Sequence, residues 1–132
     1  MADSLTLSDA VVARLETAGL TVYAGEPPES PGPLYVCVYG APGRVSPQRY
    51  GAASTDLRWT VSLVCVGADL PGALLVADRV RDALLDVRLT MGRATSPLRE
   101  TVTGPALTDG PEGDRRTSVT LGYAAHVHLK ES

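Results

Sequence analysis

Residues Asp56 to Leu85, DLRWTVSLVCVGADLPGALLVADRVRDALL, leave few folds open to the chain. Leu57, Trp59, Val61, Leu63 and Cys65 alternate with Arg58, Thr60 and Ser62, the period of two that turns one face of a strand toward a core. The period then changes. Ala73, Val76, Ala77, Val80, Leu84 and Val87 recur at steps of three and four, leaving Asp78, Arg79, Arg81, Asp82 and Asp86 mainly for solvent, which predicts an amphipathic helix. Pro71 and Gly72 set the turn and the helix start. A strand face and a helix stripe joined by so short a link must cover one another, because neither buries its apolar side alone. Each large side chain buried contributes roughly 1.5–3 kcal/mol, so this unit is expected to be the centre of stability.

Before it, Leu7, Val11, Val12, Leu15 and Ala18 fall at helical spacing between Leu5 and Ala18, with Ser4 or Ser8 able to cap and Gly19 at the C′ position. Leu20 to Tyr23 predicts a short strand. Ala24 to Pro33, AGEPPESPGP, holds four prolines that exclude helix and ladder and predict an extended loop. Leu34 to Tyr39, LYVCVY, is apolar on both faces, as an internal strand is. Gly40 to Ser54, GAPGRVSPQRYGAAS, reads as a long irregular loop, and loops of this length in compact domains are commonly functional or disordered.

After the central helix, Val87 to Met91 offers another short strand. Leu98 to Leu107 offers a weaker one, broken by Gly104 and Pro105 in the manner of a bulge or an edge. Asp109 to Asp114, DGPEGD, is a turn, and Arg116 to Leu129 alternates strictly: Val119, Leu121, Tyr123, Ala125, Val127 and Leu129 inward, Ser118, Thr120, His126 and His128 outward. The last two strands are expected to pair as a hairpin. Trp59, Val61, Leu63, Val76, Val80, Leu84, Leu121 and Tyr123 occupy the most coherent apolar faces and form the expected core. Strands and helices do not alternate regularly, so the expected fold is one α+β domain, residues 1–132: a mixed, mainly antiparallel sheet with two helices packed on one face.

The function classes narrow by subtraction. The net charge of -3 and the lack of a lysine- or arginine-rich run argue against unaided binding to nucleic acid or an anionic membrane. No apolar run reaches the roughly 18 residues of a membrane span, and Met1 to Leu7 lacks the pattern of a signal peptide. Cys37 and Cys65 lie inside apolar strands, where free buried thiols with a raised pKa are expected, neither bridged nor nucleophilic. His126 and His128 share a strand face but have no third histidine to complete a metal site. Asp109, Glu112 and Asp114 miss the spacing of a calcium loop. Gly40-Ala41-Pro42-Gly43 cannot serve as a phosphate loop, since proline removes a donor amide and no helix pattern follows. No catalytic set, metal or cofactor is expected. Arg44, Val45, Arg49 and Tyr50 on the long loop are the candidate contacts to another copy or a partner, although so few arginines and aromatics are also ordinary loop composition.

The layout resembles a known family. An N-terminal helix (LSDAVVARLETAG), a short strand and proline-rich loop (TVYAGEPPESPGPLYVCVYG), the strand and helix DLRWTVSLVCVGADLPGALLVADRVRDALLDVRL, and a hairpin ending TSVTLGYAAHVHL are similar to the tail terminator proteins of long-tailed bacteriophages. The resemblance spans nearly the whole chain. It implies an α+β subunit of a hexameric ring that caps the tail tube, assembles in the host cytoplasm, and later meets the head connector. It implies no catalytic residues and no cofactor. A ring through which DNA passes suits a mildly acidic wall that does not hold the polyanion. Other neck proteins of the head-to-tail joint fit the same layout. A reading of another class is a small-molecule-binding or catalytic domain with a cleft beside Gly40 to Ser54, lined by Tyr39, Tyr50 and the histidines.

Overall fold

The computed structural model describes residues 3–29, 32–41, 44–45, 56–89, 96–110 and 115–128. Within them the order is helix α1 (Asp3–Thr17), strands β1 (Val22–Ala24), β2 (Tyr35–Gly40), β3 (Arg44–Val45) and β4 (Asp56–Gly67), helix α2 (Leu70–Leu84), and strands β5 (Arg99–Thr103), β6 (Leu107–Asp109) and β7 (Arg116–His128). The strands form one sheet of order β1-β2-β4-β7-β5, with β3 paired to β4 and β6 to β7. All pairings are antiparallel except β1 with β2. Both helices lie on one face of this sheet, so the expected α+β architecture holds.

The centre is the ladder between β4 and β7, continuous from Asp56 opposite His128 to Gly67 opposite Thr117. Its inward residues Leu57, Trp59, Val61, Leu63, Cys65, Val119, Leu121, Tyr123, Ala125 and Val127 are all buried. Ala73, Val76, Ala77, Val80 and Leu84 of α2 close over them, while Leu7, Val11 and Leu15 of α1 pack beside Val36 and Val38 of β2. Every residue of the expected core is therefore inside. Trp59 Nε1 is buried with no hydrogen-bond partner among the described residues. That donor costs roughly 1–3 kcal/mol, offset by the large apolar surface the indole buries.

Helix boundaries follow local chemistry. The Asp69 carboxylate accepts a hydrogen bond from the Gly72 amide at 2.9 Å, and Pro71 follows in the first turn, so Asp69 is the N-cap that periodicity alone does not reveal. Helix α1 begins at Asp3, which places both Ser4 and Ser8 within the helix and overturns the capping role expected of either. Its end matches the expectation: Gly19 takes φ +89°, its amide bonds to Glu16 O at 3.0 Å and that of Leu20 to Leu15 O at 3.2 Å. This is the Schellman pattern, in which only glycine takes the left-handed position without cost. Ala18, one of the expected apolar positions, is exposed because the helix has ended.

Four further expectations change. The short strand after α1 covers Val22–Ala24, so Ala24 is ladder, not loop. The next strand begins at Tyr35 and includes Gly40, leaving Leu34 outside it. Gly40 to Ser54 is not irregular throughout, because Arg44 and Val45 pair with Arg58 and Leu57. Val87 to Leu89 forms no strand; instead Asp86 N and Val87 O bond to Leu98 backbone at 2.9 and 2.8 Å, and Leu89 is buried against the core. Leu98 to Leu107 does split as expected, into an edge of β5 and β6 with a register shift between Glu100 and Val102.

Candidate functional site

The face of the sheet without helices has two parts. Around β1 and β2 it is apolar: Tyr35, Cys37 and Val66 are buried against Tyr23 and Val64. The Tyr23 and Tyr35 rings meet edge to face at 5.6 Å, and the Arg116 guanidinium lies 5.7 Å from the Tyr35 ring centre while donating to Gly32 O at 2.9 Å. Desolvation pushes the Tyr35 phenol above its usual value, opposed by Arg116. This explains why LYVCVY is apolar on both sides: both faces of β2 are covered, although Tyr39 at its end is exposed.

The other part of that face is polar, with exposed Arg58 and Ser62 and half-buried Thr60, Ser118 and Thr120. Here the register brings together residues far apart in sequence. Arg44 stands opposite Arg58, and Arg58 opposite His126, so these three positions share one cross-strand row of β3, β4 and β7. Of the four candidate contact residues, Arg44 and Val45 thus lie on β3, while Arg49 and Tyr50 fall outside the described residues.

Among the described residues the reactive side chains form no joint site. His126 is exposed, and among the described residues no group of three or more metal-ligating side chains occurs. Cys37 and Cys65 are free and buried, on opposite faces of adjacent strands. Burial pushes the Cys65 thiol up to about 12 and raises Cys37 as well, so neither is a ready thiolate. The cleft expected beside Gly40 to Ser54, with Tyr50 in its lining, falls largely outside the described residues; the two grooves described below lie on the helix side.

A polar clamp between α2 and β5 has no local signature among the residues. Arg81 Nε donates to Glu100 Oε1 at 3.0 Å, and the Tyr123 hydroxyl donates to the same oxygen at 3.2 Å. Burial, with the Glu100 charge beside it, raises the Tyr123 phenol pKa, and the bond to Glu100 raises that of Arg81. The clamp fixes the edge strand to the helix; its members are separated in sequence by 19 and 23 positions and share no local pattern.

Two surface features on the helix side are more distinctive. One groove runs between the ends of the helices, lined by Ala13, Thr17, Ala18 and Ala83, and Arg14 crosses it to donate to Ala83 O at 2.6 Å. A second, of about 310 Å³, opens among Leu20, Pro33, Leu34, Leu75, Val76 and Arg79. Beside it Leu34, Leu70, Leu74 and Leu75 are exposed by 39 to 47%, an apolar patch on the outer side of the first half of α2. The run LPGALLV carries more leucine than one buried stripe needs, and that excess was the available sign.

No family model and no curated protein matches the chain. Solved structures do. One is a chain of the virion of a native gene transfer agent particle, similar with a TM-score of 0.65 at 20% identity over 92% of this chain and 94% of that one. Another matches with a TM-score of 0.51 at 24% identity over 99% of this chain and 94% of its own. At these identities the likeness is one of fold, and it extends over nearly the full length of all the chains compared.

Proposed function

We propose that the chain is a structural subunit of a phage-type particle, a tail terminator that closes into a ring on the head-proximal end of the tail tube. In that place it ends tube polymerisation and offers its other side to the head connector. The observation that carries the reading is the fold shared with a chain of a gene transfer agent virion across 92% of the present sequence. It is supported by the layout of helix, strand, loop, central strand and helix, and final hairpin described above. Its role is to bind and not to catalyse, in keeping with buried, strongly protonated thiols. The opposite sheet edges β1 and β5–β6, with the leucine patch on α2, supply the different surfaces that a head-to-tail ring requires. A net charge of -3 suits a wall that DNA must pass without sticking. The second reading, a neck protein on the connector side, rests on the same fold.

Electron cryo-microscopy of particles carrying this gene tests the proposal. The expected density is a closed ring of this chain, six copies by the family resemblance, seated on the last turn of the tail tube. Density confined to the head connector would favour the neck reading. Absence of the chain from purified particles would contradict both.

A further inference from the structure

The edge strand β5, with the leucine before it, carries one pattern in its sequence and another in its pairing. Leu98, Glu100 and Val102 alternate with Arg99, Thr101 and Thr103, the period of a strand that turns the first set inward without interruption. The fold follows that pattern only as far as Glu100. Leu98 is fully buried, and Glu100 is held on the helix side by Arg81 and Tyr123. Beyond it the register shifts, so that Val102 stands opposite Gly122 and Thr103 opposite Leu121. Cross-strand partners share a face, and Leu121 is an inward residue of β7. Val102 therefore takes a position on the open face, and Thr103, which is exposed, takes the one on the helix face. Thr101 is the extra residue between the two paired stretches, the mark of a bulge.

From this conflict we infer that β5 has two registers, its C-terminal half switching between the bulged pairing and a straight one while the Glu100 clamp holds the other half as a fixed pivot. In the straight register the chain after Glu100 moves on by one position, bringing Thr101 opposite Gly122, Val102 opposite Leu121 and Thr103 opposite Thr120. Valine then meets leucine and threonine meets threonine, pairings that stabilise a ladder, and no residue is left over. Both ends stay in place, Glu100 opposite Tyr123 and Leu107 opposite Ser118. The surplus length passes to the kink at Gly104, Pro105 and Ala106, where Pro105 and Ala106 are exposed at the surface. What the move gives up is the bond from the Gly104 amide to Thr120 O at 2.8 Å. One hydrogen bond set against one bulge leaves the two registers close in free energy, so the second is a minor state of the same chain. A bulge twists an edge and hinders the addition of a further strand, whereas a straight strand leaves a regular row of backbone donors and acceptors. The switch thus closes and opens this edge of the sheet to pairing, and it does not depend on the ring reading.

Disulfide trapping in the full chain tests it, since the native Cys37 and Cys65 are buried and introduced thiols are the reactive ones. Three double variants are oxidised at low protein concentration, where bonds form within one chain. Arg99→Cys, Ala124→Cys joins positions opposite one another in both registers and reports the folded strand. Thr103→Cys, Thr120→Cys is aligned only in the straight register, because in the bulged one the two positions lie on opposite faces. Thr103→Cys, Ser118→Cys is aligned in neither and measures trapping by local unfolding. The 103–120 bond is expected to form more slowly than 99–124 but roughly tenfold faster than 103–118, as a minor folded state requires. A 103–120 bond no faster than 103–118 would overturn the second register and leave the ring reading untouched. Adding Val102→Thr to the 103–120 pair should slow its closure several-fold, because the straight register then loses its inward valine. An unchanged rate would overturn the part given to Val102.

Discussion

Val80→Asp is expected to leave no cooperative unfolding transition. Val80 is fully buried where α2 covers the central ladder, among Val76, Leu84 and the inward residues of β4 and β7. The side chains packed around it are hydrophobic. A carboxyl group there must either stay charged without a partner or take up a proton and remain poorly hydrogen-bonded, and either course costs several kcal/mol. The lost valine burial adds roughly 1.5–3 kcal/mol. Against a total stability of roughly 5–15 kcal/mol, the sum removes most or all of the fold. Leu74→Asp is the matched control, since Leu74 lies on the same helix but is 45% exposed. It should melt within a few degrees of the parent. Equal losses from the two substitutions would mean that the helix is rotated from the orientation described.

Gly67→Val is expected to be nearly as damaging, for a steric reason. Gly67 closes β4 on the helix side, and the first turn of α2 folds directly over it. A Cβ at this position would stand 2.5 Å from the Gly72 carbonyl carbon and against the Ala73 amide nitrogen. These are backbone atoms, and the Gly72 amide is held by the Asp69 cap, so the helix must lift off the strand to make room. Overpacking of this kind costs roughly 1–3 kcal/mol and sometimes more, and valine falls at the upper end because its branches add to the collision. Gly32→Ala, where an added Cβ meets nothing within 4 Å, should change stability by less than about 0.5 kcal/mol. Chemical denaturation of the two variants reads the difference directly. A Gly67→Val protein as stable as the parent would show that the turn between β4 and α2 is not packed as described.

These expectations show which parts of the fold sequence reasoning could reach. Alternation in β4 and β7 and the stripe of α2 identify the core because burial of one face imposes a period, and a period is visible in a single chain. The Gly67 approach is not visible, since any glycine before a turn looks like a turn residue until the helix above it is known. The two-residue strand β3 hides in a polar stretch because its pairing comes from the extra length of β4, not from Arg44 and Val45 themselves. Val87 and Leu89 look like strand residues, yet they serve the core from an irregular segment tied to Leu98.

The surfaces proposed for interaction are legible in the sequence only in part. Arg44 was a candidate for its charge, but its alignment with Arg58 and His126 needed the register. Leu74 and Leu75 sit in the same apolar run as Val76 and Ala77, and composition alone does not say which are covered. Leu107 ends a weak, interrupted strand and looks like an ordinary edge residue.

If the chain stops tail growth as proposed, the lengths of tails made without it will show it. In a phage carrying the gene, its removal should leave tails that continue past their normal length, vary widely and fail to join heads, because nothing caps the growing end. Supplying the intact chain should restore one length. Tails of normal, uniform length in the absence of the chain would contradict the account, whether or not they join to heads.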